Sequence, residues 1–152
     1  MASPSGAGAT PTLASDDPVL ADFAAEVGGR GPIAVEGNRT RWHRGGELAD
    51  GTRLVSAPTG IVDYTPDEMT VTVRTGTAVA DLHATLAERG QRTALPERGG
   101  TVGGAVVVGE NDPRALGRGQ LRNAVLQVRY VSADGLLVSG GGPTVKNVSG
   151  FD

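Results

Sequence analysis

Apolar residues recur along this chain at two periods, and the switches between them mark out its elements. Val19, Leu20, Phe23 and Val27 fall at helical spacing. Asp16 or Asp17 can cap them, Pro18 suits a first turn, and Gly28-Gly29 stops the run, which predicts a helix ending near Val27. Residues 32–36 and 54–56 read as short strands on either side of a polar, arginine-studded loop at 37–51. A short strand at 60–62 follows the Pro58-Thr59-Gly60 turn. Val71 and Val73 then alternate with Thr72 and Arg74, the period of a half-buried strand over 69–75. Helical spacing returns with Thr77 as a cap, and Val79, Leu82, His83 and Leu86 share one face up to Arg89. Gly90 stands where a helix end takes a left-handed residue. Residues 91–95 predict a strand, and 101–108 reads either as one or two helical turns or as a turn before a buried strand. Residues 124–132 and 136–139 flank Ala133-Asp134-Gly135, a hairpin signal. The order is that of an α+β protein.

Composition narrows what such a fold can do. The 152 residues include 24 Gly and 9 Pro, so turns and close backbone approaches are frequent. Residues 1–15 are small, uncharged and rich in Pro, Gly and Ser, and are expected to form a disordered leader ahead of a domain at 16–152. With 38% hydrophobic residues and a mean hydropathy of −0.14, no run approaches the roughly 18 apolar residues of a membrane span. Aromatics at 3% and a net charge of −3 argue against nucleic acid as a partner. The absence of Cys excludes disulfides, thiolate metal sites, iron–sulfur clusters and Cys nucleophiles within the chain. The N-terminus lacks a basic segment followed by an apolar one, so a cytoplasmic location is expected. His43 and His83 are the two histidines and do not stand at metal spacing, so no metal site is expected. No nucleophile elbow is present either. Any chemistry would come from a bound cofactor.

Two glycine loops offer a place for one. Gly37, Asn38, Arg39, Thr40 and Arg41 follow a predicted strand; glycine admits close backbone approach, Asn and Thr supply donors, and the arginines add charge. The segment reads as an anion cradle or, equally simply, as a solvated surface loop. It matches neither a P-loop nor G-x-G-x-x-G. The second loop, Gly99-Gly100-Thr101-Val102-Gly103-Gly104, would open a short helix whose unpaired N–H groups face a ligand. Arg114, Arg118 and Arg122, with Gly117 and Gly119, form a third Arg/Gly loop. Such loops suit a ligand with a long phosphate-bearing tail, such as a dinucleotide.

The motifs in their order resemble the FAD-binding domain of the vanillyl-alcohol-oxidase (PCMH-type) flavoproteins and, within them, the FAD-binding subunits of bacterial glycolate oxidases. The resemblance is carried by Val35 through Arg41, Pro66-x-Glu68-x-x-Val71-Thr72-Val73-x-x-Gly76-Thr77, Thr101-Val102-Gly103-Gly104, and the ending Lys146-Asn147-Val148-x-Gly150-Phe151-Asp152. It implies two α/β subdomains and a domain that is incomplete at its C-terminus, without the cap that would hold substrate. It implies FAD, its pyrophosphate held by Gly37, Asn38, Arg39, Thr40 and Arg41. Pro96, Thr101, Val102, Gly103 and Gly104 would lie along the cofactor, with Arg114, Gly119 and Leu121 completing flavin and ribityl contacts. Relatives that bind flavin covalently use a His near the first loop or elsewhere; Asn38, Arg39 and Thr40 at the matching positions imply non-covalent FAD. The implied activity is oxidation of a small 2-hydroxy acid by hydride transfer to flavin, with electrons leaving to another oxidase subunit, an iron–sulfur subunit among them. The alternative is a non-catalytic remnant or binding module of the same fold. On this reading Gly103→Val would abolish FAD binding and leave the apo fold largely intact.

Overall fold

A computed structural model describes residues 17–29, 31–109 and 112–142. The expected leader and the Lys146–Asp152 ending therefore lie outside the described residues. The chain divides into two compact units, one made of the segment ending at Gly29 and the segment starting at Leu126, the other of the residues between.

In the first unit, α1 (Pro18–Val27) starts where the sequence predicts, because the Asp17 carboxylate accepts from the Val19 and Leu20 amides at 3.1 and 3.4 Å. Its buried face differs from the expected one. Ala24 and Val27 are buried while Val19 is exposed, so the small Ala24 lets the helix approach closely. Gly28 ends α1 without a left-handed turn (φ −69°). Its role is contact: a Cβ there would stand 3.0 Å from the Gly135 Cα. Gly135 belongs to the hairpin of β5 (Gln127–Val131) and β6 (Leu137–Gly141), paired antiparallel from Gln127↔Gly141 to Val131↔Leu137. Gly135 takes φ +76°, as the Ala-Asp-Gly turn requires.

The second unit carries two further two-stranded sheets. β1 (Ile33–Glu36) pairs in parallel with β2 (Arg53–Ser56) in the register Ile33↔Arg53 to Glu36↔Ser56. β3 (Ile61–Thr65) and β4 (Thr70–Val73) are antiparallel, with an irregularity between Ile61 and Asp63. β3 runs further than the expected strand, and β4 starts one residue late because Met69 takes φ +54° to close the 3-10 turn Pro66–Glu68. α2 (Val79–Ala87) buries Val79, Leu82 and Leu86 as its spacing predicts. Thr77 does not cap it. Its hydroxyl instead accepts from the Gly60 amide at 2.8 Å, tying the start of α2 to the start of β3. The strand expected at 91–95 does not form, since side-chain bonds replace a ladder there. Gln91 accepts from the Tyr64 hydroxyl (2.8 Å) and donates to the Pro66 carbonyl (2.7 Å), and Thr93 Oγ1 accepts from the Leu95 amide (3.1 Å).

α3 (Val102–Val108) is helical, which settles the second glycine segment as helix rather than strand. The third Arg/Gly segment is folded into two single turns, α4 (Ala115–Arg118) and α5 (Leu121–Ala124). The core of this unit joins Val79, Leu82, Leu86, Leu95, Val102, Ala105 and Leu121, with Tyr64, Val71 and Val73 packed against it. No helix among the described residues is long and apolar enough to cross a membrane.

Candidate functional site

The first glycine loop leaves β1 at Glu36 and turns at once. Arg39 sits in the left-handed region (φ +53°), which a side chain adopts at a cost of about 1 kcal/mol or more. Two contacts hold it: its Nε donates to Glu36 Oε2 at 2.6 Å, and its guanidinium lies 5.1 Å from the Trp42 ring centre. Arg39 is thus engaged within its own loop. Arg41 points across to the second loop, where its Nη1 donates to Thr40 Oγ1 at 3.0 Å and to the Gly99 carbonyl at 3.4 Å.

The two loops interlock through missing side chains. A Cβ on Gly100 would stand 2.5 Å from Arg41 Nη1 and 2.8 Å from Thr40 Oγ1. A Cβ on Gly37 would stand 2.6 Å from Thr101 Oγ1. Gly99 and Gly100 both have positive φ, +73° and +84°. Thr40 and Arg41 therefore lie directly on bare backbone of the second loop, and the two loops are in contact.

The amides at the start of α3 are placed otherwise than the sequence predicts. Val102 N donates to the Thr77 carbonyl (2.9 Å) and Gly103 N to the Thr75 carbonyl (2.8 Å). Gly104 N donates to Thr101 Oγ1 at 3.2 Å. Protein acceptors take all three, so this helix end offers them to no anion. Gly103 is small because a Cβ would stand 2.9 Å from Thr75 Cβ and 3.1 Å from its carbonyl oxygen. Its glycine serves packing of α3 on the Thr75 turn.

Of the remaining candidates, Pro96, Thr101, Val102 and Leu121 are buried, the latter two in the core. Gly119 ends α4 at φ +80°. Arg114 is joined to the segment ahead of the second loop by an ion pair: its Nη1 reaches Glu97 Oε2 at 2.9 Å, while Nε and Nη2 reach Asp112 Oδ2 at 3.0 Å. Glu97 also takes a hydrogen bond from Arg92 and lies 3.7 Å from His83 Nδ1. The Arg114 hydrogen bond, with Arg92 beside it, holds the Glu97 carboxyl below the usual carboxylate range. Burial, reinforced by Arg92, pushes His83 below its ordinary value, which favours the neutral imidazole. Its Nε2 lies 2.8 Å from Thr93 Oγ1. Sequence reasoning missed Glu97, since one Glu between Pro96 and Arg98 reads as a solvated charge.

Asn38 lines a cavity of about 530 Å³, whose walls include Gly60, Thr77 and Asp81. A second, of about 260 Å³, lies between His83, Glu97 and Gly99. Both are within or near the size range of small-molecule subsites. Among the described residues no group of three His, Cys, Asp or Glu could hold a metal ion.

Comparison with known proteins decides what the glycine loops belong to. Residues 20–141 match the family model described as FAD binding domain. The chain belongs to that family. It is 33% identical over 125 residues to the glycolate oxidase subunit GlcE of Escherichia coli (strain K12), covering 80% of this chain and 36% of that protein. It is 45% identical over 51 residues to a D-lactate dehydrogenase of Archaeoglobus fulgidus, covering 34% of this chain and 12% of that protein. The chain thus spans about a third of the length of the first relative and about an eighth of the second. No solved structure matches it. FAD is the cofactor of this family, and in this chain Thr40 and Arg41 pack on the buried Gly100 backbone, leaving no room there for a Cβ.

Proposed function

We propose that this chain is the FAD-binding part of a flavin-dependent oxidoreductase acting on a small 2-hydroxy acid. The observation that carries the reading is the interlock of the two loops, Arg41 against Gly99 and Gly100, Gly37 against Thr101, inside an FAD binding domain. Asn38, Thr40 and Arg41 would hold the pyrophosphate, where neutral donors and a guanidinium converge. Thr101 and Gly100 shape the floor, and Arg39 acts from within the loop by fixing its turn. Arg114 steadies the second loop through Glu97. Asn38, Arg39 and Thr40 offer no imidazole to the flavin, which supports non-covalent binding. When bound, FAD supplies a two-electron acceptor for the hydride leaving the hydroxyl-bearing carbon of the substrate. Electrons would pass on to a further subunit, as the name of the E. coli relative, a subunit of glycolate oxidase, supports.

The second reading is a module of the same fold that binds FAD and turns nothing over. Purified protein should show flavin absorbance between about 350 and 500 nm that survives desalting and passes into the supernatant on denaturation. Colourless protein with no FAD-induced rise in Tm overturns both readings. Flavin that glycolate or D-lactate fails to bleach under anaerobic conditions favours the binding module.

A further inference from the structure

Glu97 is exposed, yet it gathers three other segments. One carboxylate oxygen takes Arg92, the other takes Arg114 at 2.9 Å, and His83 on α2 stands 3.7 Å away. Arg114 is in turn clamped by Asp112 at 3.0 Å. A single exposed ion pair contributes little, but a carboxylate held from several segments has few places to go. Two residues on stands Gly99, whose carbonyl accepts from Arg41, and then Gly100, on whose bare backbone Arg41 and Thr40 lie. Both glycines take positive φ, so the backbone between Glu97 and Thr101 has little side-chain restraint of its own. Thr101 anchors one end by capping α3, the Gly100 carbonyl accepts from the Val79 amide at 3.1 Å, and Glu97 is the side-chain anchor ahead of Gly99.

We propose that Glu97 is a positioning residue for the FAD site: its pairs with Arg92 and Arg114 fix the Gly99 carbonyl beneath Arg41. The proposal rests on the FAD reading above. It has a consequence opposite in sign to simple electrostatics. Glu97→Gln removes a negative charge beside two guanidinium groups, so a charge effect alone would tighten binding of an anionic dinucleotide. Loss of position would weaken it.

The experiment titrates the full chain with FAD and with riboflavin, following flavin fluorescence, for wild type, Glu97→Gln, Arg114→Gln and the double variant. The proposal expects Glu97→Gln to weaken FAD about tenfold while riboflavin, which lacks the pyrophosphate, changes less than about twofold. Arg114→Gln, which leaves the Arg92 pair, should weaken FAD in the same direction by a smaller factor, and the double variant should lose no more than Glu97→Gln alone, because the Arg114 linkage is already broken there. Unchanged or tighter FAD binding by Glu97→Gln overturns the proposal, as do equal losses for FAD and riboflavin. Should Glu97→Gln fail to fold, Arg114→Gln decides by the same FAD-to-riboflavin split. If wild type binds neither flavin, the FAD reading itself fails, which is a separate result.

Discussion

A guanidinium group resting on bare glycine backbone is held at a fixed height, and Arg41 is held so by Gly99 and Gly100. Its contribution to a ligand should therefore be specific to the phosphates. Arg41→Ala is expected to weaken FAD roughly tenfold more than riboflavin, measured by fluorescence titration; equal losses would remove Arg41 from the pyrophosphate site. Gly100 and Gly103 should behave differently although four residues cover both. Gly100→Ala puts a methyl 2.5 Å from Arg41 Nη1 at φ +84°, so FAD affinity should fall by tenfold or more. Gly103→Val drives its side chain into Thr75, whose backbone cannot give way. It should cost about 1–3 kcal/mol of stability in a denaturant titration, with FAD lost only as far as the fold is lost. The expectation of an intact apo fold is corrected for this reason.

At the scale of elements, the N-terminus of α3 shows how a helix start can be used up by its own protein. Thr101 caps Gly104, while Thr75 and Thr77 accept from the two amides before it. Thr101→Ala should lower stability by about 1 kcal/mol, and Thr101→Ser, which keeps the hydroxyl, should recover most of it, read from the urea midpoint at constant m value. Local signals made α1, α2 and the 133–135 hairpin legible: a cap, 3.6-residue spacing and a glycine turn all act within a few residues, whereas the small residues of α3 fitted helix and strand alike. The parallel pairing of β1 with β2 had no such signal, because its partners are about twenty residues apart. The missing strand at 91–95 was misread because alternation cannot show that Gln91 would bond Tyr64 and Pro66. The contacts between the candidate loops were legible in the same degree. Glycine and arginine marked both loops, but the fate of each donor depends on acceptors remote in sequence, as with Gly103 and Thr75 or Arg114 and Glu97.

For the whole molecule, the same ionic cluster sets how stability follows pH. Burial, with Arg92, Arg118 and Arg114 nearby, depresses the His83 pKa below 6.5, against the pull of Glu97. An unfolded chain therefore takes up a proton at His83 before the folded one does. Stability is fully present above about pH 6.5 and falls as pH drops below it. Glu97, depressed chiefly by its hydrogen bond with Arg114, contributes stability above its unfolded value of 4.5 that is lost as pH falls through the lower folded value. The two losses have the same sign and come in sequence, His83 first. The net charge of −3 also approaches zero near the isoelectric point of about 5.3, so self-association has to be held down by dilution. Trp42, the one tryptophan in the chain, lies in the same unit as His83, so its fluorescence reports the unfolding of that unit. Tm followed this way should decline from pH 7 to pH 5 in wild type and decline less in His83→Gln, leaving the acid loss below about pH 4.5 in both. A His83→Gln profile parallel to wild type between pH 7 and 5 would show that the partly buried imidazole does not control stability there.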